Sequence, residues 1–185
     1  MKRAQLEHLL RASANVLNDR FKTSGKREFV VVGSQSLLGQ YPDAPVELLR
    51  SMEADVYPRS SPEHAEIIDG ALGELSPFHD THGYYVQGVG PGTAVLPDGW
   101  EKRLVRIETQ SSDPGVGLCL DVHDLAIAKY VAGRTKDMEF TAQLAHHGLT
   151  QSTRLRERLA ATKIPLEVRR VVAQRIASHF RKSKA

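Results

Sequence analysis

The stretch FVVVGS at residues 29–34 and the segment EAD at residues 53–55 decide the fold of this chain. Four consecutive apolar residues predict a short strand that is buried on both faces, and the Gly-Ser pair marks its end. After eighteen intervening residues, Glu53 and Asp55 alternate with apolar neighbours, which predicts a second strand. Residues two apart in a strand point to the same face, so the two carboxylates project into one space, about 7 Å apart at their backbones.

These two segments carry groups that can bind phosphate and a metal ion. Gly33 and Ser34 stand at the end of a strand and the start of a short helix with Ser34 as its N-cap, where they offer backbone N–H groups and a hydroxyl to a phosphate. Converging carboxylates suit Mg²⁺, with Mn²⁺ as the alternative, because Mg²⁺ is usually held by one or two carboxylates plus substrate phosphates. The alternative interpretation is an edge strand whose acidic residues face solvent.

The order of the predicted elements indicates an α/β (α+β) fold. An amphipathic helix comes first, strands and helices follow up to about residue 120, and four helices complete the chain. Ser61-Pro62-Glu63 is a strong helix start and predicts a helix to about Leu75. We therefore expect an α/β core at residues 1–122 and a helical C-terminal part with a basic surface at residues 123–185.

Composition excludes several classes of protein. The chain has 185 residues, of which 41% are hydrophobic and 25% charged, which is typical of a soluble globular domain. The sequence contains no run of about eighteen apolar residues, so we expect no membrane-spanning helix. Charged residues interrupt the apolar residues near the N-terminus, so we expect no secretory signal. The single cysteine, Cys119, predicts a small buried residue in a reducing compartment. We expect a cytoplasmic protein.

The run DLAIAKYVAGRTKD at residues 124–137 contains a lysine near the end of one helix and an aspartate in the first turn of the next. Gly133 ends the first helix and Thr135 caps the second, so Lys129 and Asp137 can turn toward one another. Each charge lies where the dipole of its own helix favours it. The pair predicts either a functional site or a Lys–Asp ion pair at the corner between two helices.

A Gly-Ser pair after an apolar strand, followed by an acid-x-Asp strand, resembles the signature of the nucleotidyltransferase (polymerase-beta-like) superfamily. The run at residues 124–137 is similar to the lysine-then-aspartate segment of AbiEii-type nucleotidyltransferases, a group that includes the MenT-like toxins of bacterial toxin–antitoxin systems. The resemblance spans about residues 29–148. It implies a nucleotidyltransferase-like mixed sheet flanked by helices.

The resemblance also implies a role for each matching residue. It assigns metal binding to Glu53 and Asp55, and nucleotide binding to Gly33, Ser34 and Lys129. The catalytic set that it implies, gathered in one pocket with Ser34, comprises Asp55, Glu53, Lys129 and Asp137. The chain departs from the family at Glu53, where an aspartate is usual, and the longer side chain of glutamate shifts the ion.

Members of the superfamily often use a third carboxylate, and Glu108 is the candidate in this chain. Leu104, Arg106 and Glu108 share one face of a predicted strand, so the Glu108 carboxylate is expected as a further metal ligand or a base. The alternative is an exposed strand with an Arg106–Glu108 pair.

The charge is distributed unevenly along the chain. Residues 150–185 carry ten Lys or Arg and two acidic residues, a net charge of +8, whereas residues 1–149 carry −5. A basic end on an acidic body is common when the partner is a polyanion, although a solvated helix surface has the same composition. The residues expected to contact an RNA backbone are Arg154, Arg156, Arg158, Arg169 and Arg170.

Together these features predict an enzyme that transfers a nucleoside monophosphate from an NTP to an acceptor hydroxyl and releases pyrophosphate. The resemblance implies tRNA or another RNA as the acceptor, a toxin role, and a cognate antitoxin as partner. Two alternatives remain: a protein hydroxyl as the acceptor (AMPylation), or a catalytically weak relative that serves as an interaction or antitoxin-like module. The sequence leaves open which NTP is used and how many copies assemble.

Overall fold

A computed structural model describes residues 1–181, and the last four residues of the predicted C-terminal part lie outside the described residues. The helices are α1 (Arg3–Phe21), α2 (Leu37–Gln40), α3 (Ala65–Leu72), α4 (Pro77–His82), α5 (Val122–Ala132), α6 (Thr135–His146), α7 (Ser152–Ala160) and α8 (Leu166–Arg181). The strands are β1 (Arg27–Val31), β2 (Glu53–Pro58), β3 (Tyr85–Gly88), β4 (Val105–Ile107) and β5 (Gly115–Cys119).

The strands form one five-stranded mixed sheet in the order β3-β2-β1-β5-β4. The pairs β1–β2 and β4–β5 are antiparallel, while β1–β5 and β2–β3 are parallel. This arrangement confirms the predicted α/β (α+β) class, a mixed sheet flanked by helices with a helical C-terminal part. It also confirms β1 as a buried central strand, because its neighbours on both sides are strands and Phe29 and Val31 are fully buried.

The chain divides into two compact units, which are described here one at a time. The first comprises Met1–Thr93 and Leu104–Leu120 and contains the whole sheet. Its core forms where α1 packs on β5 and α3 packs on β3. Gly115 in β5 allows α1 to approach closely, because an added Cβ there would lie 2.1 Å from the Leu10 carbonyl oxygen.

The second unit comprises Ala94–Arg103 and the chain from Asp121 onward, and it contains α5 to α8. Helix α5 is buried almost all round, as expected for the central helix of a bundle. Asp121 caps its start by accepting the His123 N–H at 2.9 Å, and Gly133 ends it in the left-handed conformation (φ 66°). The predicted boundary between residues 122 and 123 stays a prediction. No helix in residues 1–181 is long and apolar enough to cross a membrane.

Two local predictions were wrong. Ser34 is not the N-cap of a helix: it begins a short 3-10 turn, Ser34–Ser36, that has Gly33 at its N-cap and continues into α2. Thr135 is not a cap either: α6 has Arg134 at its N-cap and Thr135 as its first helical residue. The helix expected from Ser61 to about Leu75 begins as a 3-10 turn, Pro62–His64, and continues as α3, and a separate helix that the sequence did not predict, α4, begins at Pro77. Helix α3 ends at Leu72 with Gly73 as its C-cap, and Leu75, between α3 and α4, has a φ of 63° in the left-handed region.

Candidate active site

The end of β1 and the start of β2 bring Gly33 and Asp55 into direct contact. The Val32 N–H donates to the Asp55 carbonyl at 3.0 Å, which holds these two segments of the chain side by side. A Cβ added at Gly33 would lie 1.6 Å from Asp55 Oδ2, so the carboxylate occupies the space that any side chain at position 33 would need. The φ of Gly33 (−81°) is accessible to every residue, and the neighbouring carboxylate is therefore what requires glycine here.

The turn after Gly33 is tied to the loop that leads into β2. Gln35 donates from Nε2 to the Ser51 carbonyl at 2.9 Å, and the Ser36 N–H donates to the Gly33 carbonyl at 3.0 Å. Gln35 Oε1 and Ser36 Oγ are buried and make no hydrogen bond within residues 1–181. Buried polar atoms of this kind are uncommon in proteins, so the turn has hydrogen-bonding capacity that the described chain does not use.

Glu53 lies on the same face of β2 as Asp55, while Ala54 and Val56 between and after them are buried on the opposite face. The phenol of Tyr85 on β3 donates to Glu53 Oε2 at 3.2 Å. Burial, followed by the negative charge of Glu53, raises the pKa of Tyr85 to about 12. The phenol therefore keeps its proton at neutral pH and acts as a donor to the carboxylate.

The two carboxylates of β2 meet the requirement for a Mg²⁺ site that is completed by substrate. Within residues 1–181 no group of three or more His, Cys, Asp or Glu side chains could hold a metal ion. Mg²⁺ is usually bound through one or two carboxylates, with phosphate oxygens and water filling the other positions. Glu53 and Asp55 on one face, beside the 3-10 turn that follows Gly33, fit this donor set.

Glu108 is the sequence candidate that the structure does not bring to this corner. The register of β4, β5 and β1 places position 108 level with Glu28 at the start of β1, whereas Asp55 lies beside Val32 at its end. Strands β1 and β5 also separate β4 from β2, about 14 Å across the sheet.

The surroundings of Glu108 match the alternative that the sequence left open. Its carboxylate pairs with Lys26 and accepts from Arg106 at 2.6 Å. The Lys26 hydrogen bond, followed by that of Arg106, lowers the pKa of Glu108. Arg106 also bridges to Glu28 at 2.6 Å, which completes a surface ion network. We therefore remove Glu108 from the proposed metal site.

Lys129 and Asp137 belong to the second unit, where they form a close pair. Lys129 Nζ lies 3.3 Å from Asp137 Oδ1, and Arg134 binds the same carboxylate through Nε at 2.7 Å. Burial favours the neutral acid, but the Arg134 hydrogen bonds and the Lys129 charge outweigh it and leave the pKa of Asp137 below its usual value. The two residues turn toward one another as the sequence indicated. Their predicted catalytic roles stay predictions.

The five arginines proposed for RNA differ in their surroundings within the second unit. Arg154, Arg156 and Arg170 are exposed on α7 and α8. Arg158 pairs with the buried Asp124 at 3.0 Å, and Arg169 donates to the Thr162 carbonyl at 2.7 Å, beyond the end of α7. Arg158 and Arg169 therefore stabilise their own unit, which leaves the three exposed arginines as the candidates for RNA contact.

Sequence reasoning missed that β3 supplies two further side chains to the Glu53–Asp55 face. The parallel register pairs Glu53 with Tyr85 and Asp55 with Gln87, and paired residues share a face of the sheet. A signal was present, since Tyr85 and Gln87 alternate with the fully buried Val86. Alternation identifies a strand with one polar face, but it does not identify the strand beside it.

A match to a protein-family model covers most of the chain. A family model described as "Nucleotidyltransferase of unknown function (DUF6036)" matches residues 7–180, which include both carboxylates of β2 and the Lys129–Asp137 pair. Searches of curated proteins and of solved structures found no significant match.

Proposed function

The chain belongs to the DUF6036 family of nucleotidyltransferases of unknown function, and from this membership we propose that it transfers a nucleoside monophosphate from an NTP to an acceptor hydroxyl with Mg²⁺. The observation that carries the proposal is the contact between Gly33 and the Asp55 carboxylate, with Glu53 on the same face of β2. A glycine beside a carboxylate leaves the backbone open where a substrate and a cation approach it.

Each group at this corner has a defined task in the proposed reaction. Asp55 and Glu53 hold the metal ion, and the turn that begins at Ser34 binds the triphosphate through backbone N–H groups and the Ser34 hydroxyl. A bound ion would supply positive charge beside the phosphate oxygens. The acceptor oxygen bonds to the α-phosphorus, the bond from that phosphorus to the bridging oxygen breaks, pyrophosphate leaves, and the acceptor proton passes to solvent.

The finer parts of the proposal come from the resemblance to AbiEii-type and MenT-like proteins. In that resemblance Lys129 neutralises the phosphates, and Asp137, which is paired with Lys129 at 3.3 Å, completes the site from the following helix. The acceptor is tRNA or another RNA, whose backbone is contacted by the exposed Arg154, Arg156 and Arg170. In this proposal the protein acts as a toxin that a cognate antitoxin restrains.

The test is to incubate the full chain with each of the four NTPs labelled at the α-phosphate, Mg²⁺ or Mn²⁺, and total tRNA. Label in RNA supports the proposal, and label in protein identifies an AMPylating enzyme instead. Transfer is expected to fall by at least about 100-fold in Asp55→Asn, because the charge that holds the ion is gone. Asp19→Asn, at an exposed position of α1, is the matched control and keeps full transfer.

An absence of label with every NTP and both metals, in protein that is folded, contradicts the enzymatic proposal. The catalytically weak interaction module would then be the better description. Transfer that survives Asp55→Asn would contradict the assignment of the site while leaving the activity in place.

A further inference from the structure

We propose that Tyr85 is a positioning residue that orients the Glu53 carboxylate toward the metal ion, an inference that rests on the function proposed above. Tyr85 donates from its phenol to Glu53 Oε2 at 3.2 Å, and the hydrogen bond joins two adjacent strands at paired positions of a parallel ladder. The donor is uncharged. It can hold one carboxylate oxygen without neutralising the charge that attracts a cation. The same hydrogen bond fixes the orientation of the whole carboxylate group, and therefore the direction in which its other oxygen points.

The position of Tyr85 is itself fixed by its neighbours in the first unit. The His79 ring packs against the Tyr85 ring with centroids 4.6 Å apart. His79 is held in turn, because its Nδ1 accepts the Leu75 N–H at 3.1 Å and its backbone N–H donates to Ser76 Oγ at 3.2 Å. A chain of contacts therefore runs from the capped start of α4 through His79 and Tyr85 to Glu53.

Glutamate needs such a neighbour more than aspartate does. Its carboxylate follows three rotatable side-chain bonds instead of two, so fixing it in one orientation costs more conformational entropy. A hydrogen bond formed before the metal arrives removes part of that cost from the binding step. Groups that orient a metal ligand typically change metal affinity or activity by about 10–100-fold when they are removed.

The experiment compares two neighbouring tyrosines that differ in where their phenols point. Tyr85→Phe removes the donor to Glu53, whereas Tyr84→Phe removes a hydroxyl that lies 2.7 Å from His8 Nδ1 and does not contact Glu53. Mn²⁺ alone is titrated into the full chain without nucleotide, and free Mn²⁺ is measured by electron paramagnetic resonance. We expect about tenfold weaker binding in Tyr85→Phe and unchanged binding in Tyr84→Phe.

A double-mutant cycle tests whether Tyr85 acts through Glu53. In the Glu53→Gln background, Tyr85→Phe should weaken Mn²⁺ binding no further, because the group it orients has lost its charge. A further loss in that background would overturn the inference, since Tyr85 would then act by another route.

The outcomes separate this inference from the proposed function. Equal Mn²⁺ affinity in Tyr85→Phe and in the unmodified chain overturns the positioning role alone. An unmodified chain that binds no Mn²⁺, either alone or with an NTP analogue that cannot be cleaved between the α- and β-phosphates, and that has native far-ultraviolet circular dichroism, overturns the positioning role together with the metal site on which it rests.

Discussion

The acidic residues of β2 and those of α5 and α6 have different surroundings. Asp124 and Asp137 in the second unit are 0% and 1% exposed, and each carboxylate contacts two cationic side chains. Glu53 in the first unit is half-buried and accepts a hydrogen bond from a neutral phenol. Asp55 is also half-buried, and its carboxylate lies against the backbone of Gly33.

This difference distinguishes a carboxylate that holds a structure together from one that can take up a cation. A buried acid between two cations has its charge compensated, and removing it leaves those cations without a counter-charge. A half-buried acid held by a neutral donor keeps its charge available, which a metal site requires. The comparison therefore predicts that mutations in the two regions affect different properties of the molecule.

The largest effect on stability is expected at Asp124. Asp124→Ala should lower the free energy of unfolding by about 3 kcal/mol. This value is at the lower end of the range for breaking a buried ion pair, because Arg103 and Arg158 are each about one-quarter exposed and can be hydrated. Urea denaturation measures the change. Glu157→Ala, at an exposed position of α7, is the control and should change stability by less than about 0.5 kcal/mol. Similar values for both variants would contradict the structural role of Asp124.

The next effect is expected at Gly33 and concerns activity more than stability. Gly33→Ala forces the Asp55 carboxylate aside, so transfer should fall by about 100-fold, as for a displacement of about 1 Å in an active site. The free energy of unfolding should fall by about 1–3 kcal/mol, because the added methyl group overpacks the site. The matched control is Gly70→Ala in α3, where an added Cβ meets nothing within 4 Å. That variant should keep full transfer and gain up to about 1 kcal/mol of stability.

A smaller effect is expected from pH at Asp137. Because the folded chain holds the pKa of this carboxyl below its usual value, the stabilisation is present above that value and is lost as the pH falls through the folded pKa. Urea midpoints measured from about pH 6 down to about pH 3 should fall, and the fall should be shallower in Asp137→Asn. Glu139→Gln, exposed on the same helix, should follow the unmodified chain. An identical acid slope in Asp137→Asn would refute this assignment.

The smallest effect is expected at Glu108. Glu108→Gln weakens exposed ion pairs with Lys26 and Arg106, which are worth at most about 1 kcal/mol and are screened by salt. Nucleotidyl transfer should remain unchanged, because this residue lies at the opposite end of the sheet from Asp55. Loss of transfer in this variant would return Glu108 to the catalytic site and contradict the distinction drawn here.

Local patterns predicted the elements well where the pattern was strong. The amphipathic repeat of α1, the apolar run of β1 and the Gly133 cap of α5 all hold in the structure. Helix α4 was not predicted, and the left-handed φ of Leu75, which precedes it, has no signal in a residue type that rarely adopts it. For the same reason, the Leu75 N–H bond to His79 could not be anticipated.

The site was predicted in part. The pairing of Lys129 with Asp137 depends on two adjacent helices joined by a short turn, and such local geometry can be deduced from sequence. The expected metal role of Glu108 rested on alternation within one strand, which establishes a shared face but does not establish position in the sheet. The Tyr85–Glu53 contact depends on residues 32 positions apart and on a parallel pairing that the order of the strands along the chain does not determine.

The sequence alone determined which residue types are available and on which faces of their own strands and helices they lie, because side-chain direction follows from the periods of local backbone structure. Only the tertiary structure decided that the Asp55 carboxylate lies against Gly33, that Tyr85 binds Glu53 and that Glu108 lies at the far end of the sheet. Strand order and register cause these differences: they arise from pairing between distant segments, and a shift of one residue would exchange the faces of a whole strand.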